Sequence, residues 1–149
     1  MSFVGMLIAL ALLAPNLLLA FWPPRDAFPD VSGRFLLLAE RVGQVSCLVL
    51  AAISWDNGSI TNGWLIPTWF CIAVYGVLWG RFLGDGRLVR DLYAPLWRIP
   101  IPMAIFPTIA FFGLALRDGS WLLIIATIVL AVGHLPMSIR VARALGIQS

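Results

Sequence analysis

Five long apolar stretches, separated by short polar connections, constrain this chain more than any other feature of its sequence. A bilayer core about 30 Å thick requires about 20 helical residues, within a range of about 17–25. The length of every stretch lies within this range. In chain order they are Phe3 to Phe21, Phe35 to Ser54, Trp64 to Leu83, Ile99 to Leu116 and Trp121 to Ile139. The sequence therefore predicts an all-α integral membrane protein, with one bundle of five transmembrane helices covering residues 1–149.

The amino-acid composition excludes the main alternative, a soluble domain. Hydrophobic residues make up 61% of the 149 residues and charged residues 11%, whereas soluble domains have about 45–50% and about 25%. The chain also has no run rich in basic residues, so we expect no nucleic-acid partner. Membrane lipids are the first partners to expect.

The arginines predict how the helices are oriented. All ten basic residues are arginine, and arginine in loops favours the cytoplasmic side. The connections after the first, third and fifth stretches hold eight arginines, and the other side has Arg117 alone; the eight are Arg25, Arg34, Arg81, Arg87, Arg90, Arg98, Arg140 and Arg143. We therefore expect the N-terminus outside and the C-terminus in the cytoplasm. Because a basic set without lysine fits a GC-rich bacterial genome, we expect the inner (plasma) membrane of a bacterium.

Two features predict how the helices pack. Gly76, Gly80 and Gly84 recur every four residues in the third stretch, and such spacing lets helix backbones approach closely in lipid. We interpret this face as packing inside the bundle, with association of two copies as the alternative. Pro107 lies inside the fourth helix and removes a backbone hydrogen bond, so we expect a kink there, with Thr108 as a candidate donor to the freed carbonyl.

A few polar residues inside the spans carry the functional hypothesis. Charged side chains at mid-membrane cost at least about 2.5–3.5 kcal/mol, so they normally face other helices or water. Helical rise predicts that Asn16, Glu40 and His134 lie at similar depths in three different helices. Gln44 shares the face of Glu40, and Tyr75 lies slightly deeper. We predict that these five residues line a polar pocket that opens toward the cytoplasm.

The same residues also allow a purely structural interpretation. Glu40 could pair with Arg81 or another arginine and lock helices together, while Arg41 extends to lipid headgroups. His134 could instead donate to a backbone carbonyl near Pro136. Under this interpretation the polar cluster stabilises the bundle and binds no solute.

Three functions therefore remain open from the sequence. The first is a protein that binds or passes a small solute, ion or proton through the pocket. The second is a scaffold or accessory subunit, as a homo-oligomer or with another membrane protein. The third is a lipid-modifying enzyme, which ranks last because no nucleophile, carboxylate pair or metal-ligand spacing accompanies Glu40 and His134. We expect no cofactor and no metal.

Overall fold

The computed structural model describes residues 3–53 and 62–147. Within these ranges the chain is helical and contains no named strand. A short 3-10 turn, Asn62–Trp64, precedes the third helix. The helices are α1 (Phe3–Phe21), α2 (Arg34–Ile53), α3 (Leu65–Gly84), α4 (Val89–Tyr93), α5 (Pro102–Asp118) and α6 (Trp121–Ala144).

Four of these helices, α1, α2, α3 and α6, are long and apolar enough to cross a membrane. Their outer surfaces carry large apolar side chains that nothing in the bundle covers. Phe35, Ile66 and Val77 are each more than 70% exposed. Soluble monomers rarely expose apolar surface of this extent to water. The structure therefore indicates a membrane protein.

The helix ends follow the local backbone chemistry. The bounds of α1 are those predicted. The N-terminus of α2 lies one residue before the predicted start, and the predicted end at Ser54 lies outside the described residues. The fourth predicted span begins three residues later, at Pro102, and has 17 residues. Prolines at 100 and 102 disfavour helix at the residues before them, and Ile101 adopts a left-handed conformation with φ 43°.

The α5 and α6 helices form a hairpin with a link of only two residues. Gly119 ends α5 in a left-handed conformation with φ 61°, which glycine adopts without steric cost. Ser120 then caps α6, because its hydroxyl accepts a hydrogen bond from the Leu123 amide at 3.3 Å. At the tip of this hairpin, Arg117 and Asp118 form a buried ion pair of 2.9 Å.

At the end of the bundle opposite the α5–α6 link, hydrogen bonds join the connections to one another and to α6. The Asp26 carboxylate accepts a hydrogen bond from the Val89 amide at 2.7 Å, and so caps α4, a helix that the sequence reading did not predict. The Arg25 amide donates to the Arg87 carbonyl at 2.9 Å. From α6, Arg140 donates to the Ser32 carbonyl at 3.0 Å. The connections after α1 and α3 and the C-terminal part of α6 therefore meet at one end, here called the arginine-rich end.

Helices α2 and α6 make the closest contact in the bundle, through two glycines. A Cβ atom added at Gly43 would collide with the backbone of Leu130, and one added at Gly133 would collide with the backbone of Glu40 and the Leu36 carbonyl. Only hydrogen atoms fit between the two backbones at these positions. The sequence reading missed both glycines.

The glycines at four-residue spacing on α3 do not pack inside the bundle, and that expectation was wrong. Apart from the adjacent backbone of α3 itself, a Cβ atom at Gly76, Gly80 or Gly84 would meet no described atom within 4 Å. The physical reason is their phase on the helix, because α3 buries the opposite stripe, which includes Cys71, Tyr75, Leu78 and Phe82. Association of two copies through this face stays a prediction.

Helix α5 remains a single helix across Pro107. Proline at this position leaves the carbonyl of Met103 without its helical donor. The Thr108 hydroxyl donates instead to the Ala104 carbonyl, at 2.8 Å. Thr108 was therefore the wrong candidate for the freed carbonyl, because its hydroxyl reaches the carbonyl four residues before itself. The kink stays a prediction.

The glycine contacts give a direct test of the bundle. Replacing Gly43 or Gly133 with alanine forces a methyl group into the backbone of the facing helix, and overpacking of this kind costs about 1–3 kcal/mol. We expect each variant to lower the free energy of unfolding by this amount, measured by denaturant titration in detergent micelles. Gly76→Ala is the matched control and should not destabilise the protein. Equal losses at all three positions would contradict the assigned contacts.

Candidate functional site

A cavity of about 210 Å³ lies among the helices near the arginine-rich end. All six α-helices and the connections contribute to its wall. The lining residues are Leu12, Asn16, Leu19, Phe28, Glu40, Gln44, Leu48, Tyr75, Trp79, Leu92, Tyr93, Ile101, Met103, Ala104, Pro107, Phe111, Leu130, His134 and Ser138. Apolar groups therefore form most of the wall, with a few polar groups among them.

All five residues that the sequence predicted for a pocket line this cavity. Asn16 comes from α1, Glu40 and Gln44 from α2, Tyr75 from α3 and His134 from α6. The structure thus brings four helices together at the predicted side chains. What the cavity does, and whether it opens to the cytoplasm, stay predictions.

The central polar contact of the wall joins α2 to α6. Nδ1 of His134 lies 2.8 Å from Oε1 of Glu40. The two side chains are 27% and 22% exposed, so both are largely removed from the surface. When Nδ1 carries the hydrogen and donates to the carboxylate, Nε2 of a neutral imidazole is an acceptor. The pair therefore presents two acceptors, Nε2 and the second carboxylate oxygen of Glu40.

Glu40 does not pair with the arginines that the structural interpretation of the sequence offered as its partners. Within the described ranges, neither Arg41 nor Arg81 makes an ion pair with Glu40, which contacts His134 instead. Arg41 follows Glu40 by one position, about 100° around the helix, and is exposed. Arg81 lies on α3, which packs mainly against α5. Neither arginine lines the cavity.

Asn16 and Tyr75 each make a contact with a residue of their own helix in the cavity wall. The Asn16 amide nitrogen donates to the Leu12 carbonyl at 3.1 Å, which fixes the side chain along α1. Tyr75 is 3% exposed and its ring meets that of Trp79 edge to face, with centroids 6.3 Å apart. Trp79 in turn packs edge to face on Phe82 at 5.5 Å. Aromatic rings of α3 therefore form one side of the cavity.

Residues from the connections bound the cavity at the arginine-rich end. Phe28 follows α1, and Leu92 and Tyr93 belong to α4. Burial raises the pKa of Tyr93 to about 12, and the negative charge of Glu40 adds to this effect. The hydroxyl of Tyr93 therefore stays protonated near neutral pH and is a hydrogen-bond donor beside the cavity.

Three polar lining residues were missed by sequence reasoning: Trp79, Tyr93 and Ser138. A signal existed for two of them, because Trp79 follows Tyr75 by four residues and Ser138 follows His134 by four, so each shares a helix face with a predicted residue. Tyr93 had no such signal. Its position depends on α4, which is held in place by Asp26 from a distant connection.

Comparison with known proteins gives no relative for this fold or site. No protein-family model, no curated protein and no solved structure matches the chain. The function is therefore argued from the cavity itself.

The Glu40–His134 contact predicts a measurable coupling between α2 and α6. Hydrogen bonds between membrane helices contribute about 0.6 kcal/mol on average and up to about 1.7 kcal/mol. We expect a coupling energy in this range from a double-mutant cycle of Glu40→Leu and His134→Phe, in which each variant removes the hydrogen bond, measured by denaturant titration in micelles. A parallel cycle of Arg41→Gln and His134→Phe is the control and should show no coupling. A zero value in the first cycle would contradict the contact.

Proposed function

We propose that the chain is a five-span membrane protein whose cavity binds a small solute, or passes that solute or a proton. The observation that carries the proposal is the cavity of about 210 Å³ with the Glu40–His134 pair in its wall. Binding sites for small molecules are typically concave, mostly apolar and provided with a few polar groups. A protein that used these polar residues only to join its helices would need no space beside them.

The geometry of α5 supports its role as the fifth span. The helix has 17 residues, at the short end of the length required to cross a bilayer. It leaves the arginine-rich end after the Leu96–Ile99 turn, and its other end joins α6 through the two-residue link. The α6 helix then returns to the arginine-rich end, where Arg140 contacts Ser32. A bundle with α5 as a span has its two chain ends on opposite sides.

The arginine distribution supports a cytoplasmic arginine-rich end and, with it, a cavity near the cytoplasm. Because all ten basic residues are arginine, which fits a GC-rich bacterial genome, we propose the inner membrane of a bacterium as the location.

Labelling of single cysteines tests this orientation. Arg90→Cys lies at the arginine-rich end, and Trp121→Cys lies near the opposite end; both positions are exposed, whereas the native Cys47 and Cys71 are buried. We expect a membrane-impermeant maleimide to label Trp121→Cys in intact cells and to label Arg90→Cys only after lysis. Labelling of Arg90→Cys in intact cells would contradict the proposed orientation. The wild-type chain measures the background labelling.

The pair also supplies the chemistry for a proton. An imidazole and a carboxylate are both groups that can accept and release a proton, and here they lie in contact at 2.8 Å. In a membrane span such ionisable pairs commonly mark a proton or ion route. Binding and passage use the same residues, and a flux measurement separates them.

The proposal is tested with protein purified in lipid nanodiscs and in liposomes. Small molecules that copurify are identified by mass spectrometry after denaturing extraction, and proton flux is followed with a pH-sensitive dye. Loss of a hydrogen bond to a charged group weakens binding about tenfold. We expect Glu40→Gln and His134→Ala to reduce the retained molecule, or the flux, by about this factor. Arg41→Gln is the control on the same helix.

A second pair of variants tests whether filling the cavity with a larger side chain blocks its function. Ala104 lines the cavity and Ala73 lies on the exposed face of α3. Ala104→Phe should abolish retention or flux, whereas Ala73→Phe should leave both unchanged. If the wild type retains no molecule and passes no proton, while Glu40→Gln lowers stability, the proposal is wrong. The accessory-subunit interpretation would then account for the polar cluster.

A further inference from the structure

One buried polar atom in the cavity wall makes no well-formed hydrogen bond within the described part of the chain. Trp79 is only 4% exposed, and its buried indole nitrogen Nε1 makes no hydrogen bond of good geometry among the described residues, although the Tyr75 hydroxyl lies near it. Indole nitrogen is a donor only, and a buried tryptophan normally has an acceptor for it. Leaving such a donor buried and unpaired is unfavourable, because its hydrogen bond to water is lost and not replaced. The cavity is the space from which an acceptor can come.

The charges of the wall indicate which ligands the cavity disfavours. Glu40 is its acidic residue and His134 its imidazole, and none of the ten arginines of the chain lines it. An anion would therefore approach a carboxylate in an apolar surrounding without a guanidinium group to balance its charge. A neutral or cationic molecule meets no such penalty.

The volume of the cavity limits the size of its occupant. An engineered apolar cavity of about 150 Å³ holds one benzene molecule, and the cavity described here is about 210 Å³. One six-membered ring with a short substituent fits this space. The faces available to the ring are apolar, from Leu12, Leu48 and Phe111.

We propose that the ligand is a small ring compound without negative charge, whose oxygen atom accepts a hydrogen bond from Nε1 of Trp79. This inference rests on the proposed function of the cavity as a solute-binding site. Trp79 then binds the oxygen end of the molecule, and the apolar wall covers its ring. The acceptors Glu40 and His134 bind any donor or cationic group that the ring carries.

Three probes of similar size separate the requirements of the site. Acetophenone has a ring and a carbonyl acceptor, isopropylbenzene has the ring without an acceptor, and benzoate has the ring with a negative charge. Each is titrated into the full-length protein in lipid nanodiscs, with empty nanodiscs as the correction for partitioning into lipid. Affinity is measured by calorimetry, and the indole N–H resonances are followed by NMR on ¹⁵N-labelled tryptophan. The Trp79 resonance is assigned by its loss in Trp79→Phe.

We expect acetophenone to shift the Trp79 indole resonance saturably, in the direction of a formed hydrogen bond. Trp79→Phe keeps an aromatic ring and removes the donor, so it should weaken acetophenone about fivefold and leave isopropylbenzene unchanged. Benzoate should bind at least about tenfold more weakly than acetophenone, because the site has no cation to balance its charge. Trp69→Phe, on the exposed side of α3, is the matched control and should change no affinity.

The outcomes separate this inference from the proposed function. If acetophenone and isopropylbenzene bind equally and Trp79→Phe affects neither, the role of Trp79 is wrong while solute binding stands. Tightest binding by benzoate would overturn the charge requirement. If the Trp79 resonance indicates a formed hydrogen bond before any probe is added, a water already satisfies the donor and the inference fails. Binding of none of the probes would also overturn it. The retention and flux measurements then test the proposed function of the cavity independently.

Discussion

The close approach of α2 and α6 is the constraint on which the site depends. With glycine at positions 43 and 133, the two backbones come close enough that no Cβ atom fits between them. Gly133 precedes His134 directly and packs against the backbone of Glu40, so the same contact brings the imidazole within 2.8 Å of the carboxylate. Larger residues at either glycine would separate the helices and with them the two polar groups. Packing and polar chemistry therefore depend on each other at this contact.

Interior prolines of three helices lie in or beside the cavity wall. Helices α1, α5 and α6 contain interior prolines at positions 15, 107 and 136, and each proline removes one backbone hydrogen bond. Pro107 itself lines the cavity, as do Asn16 after Pro15 and His134 before Pro136. Polar side chains and incomplete helix hydrogen bonding thus occur together, in the part of the bundle where the space remains.

The sequence could predict those parts that follow from local chemistry. Hydropathy alone located α1, α2, α3 and α6, because long apolar runs need no knowledge of neighbours. Depth along each helix was enough to group Asn16, Glu40 and His134. It was harder to predict which side of a helix contacts its neighbours. The spacing of Gly76, Gly80 and Gly84 is visible in the sequence, but whether that side meets another helix depends on where α3 buries Tyr75 and Phe82. Depth grouped Glu40 with His134 but could not choose between His134 and Arg81 as the partner of Glu40, because that choice depends on α3 packing on α5 while α6 packs on α2.

The buried Arg117–Asp118 pair has a consequence for how the chain enters the membrane. These neighbours lie at the tip of the α5–α6 hairpin. With the arginine-rich end in the cytoplasm, as proposed, this tip is the part of the hairpin that must be translocated. An arginine alone is among the most costly side chains to move through a bilayer, and the carboxylate of Asp118 contacts Arg117 from within the same hairpin. The hairpin therefore carries a counter-ion for Arg117 within its own sequence.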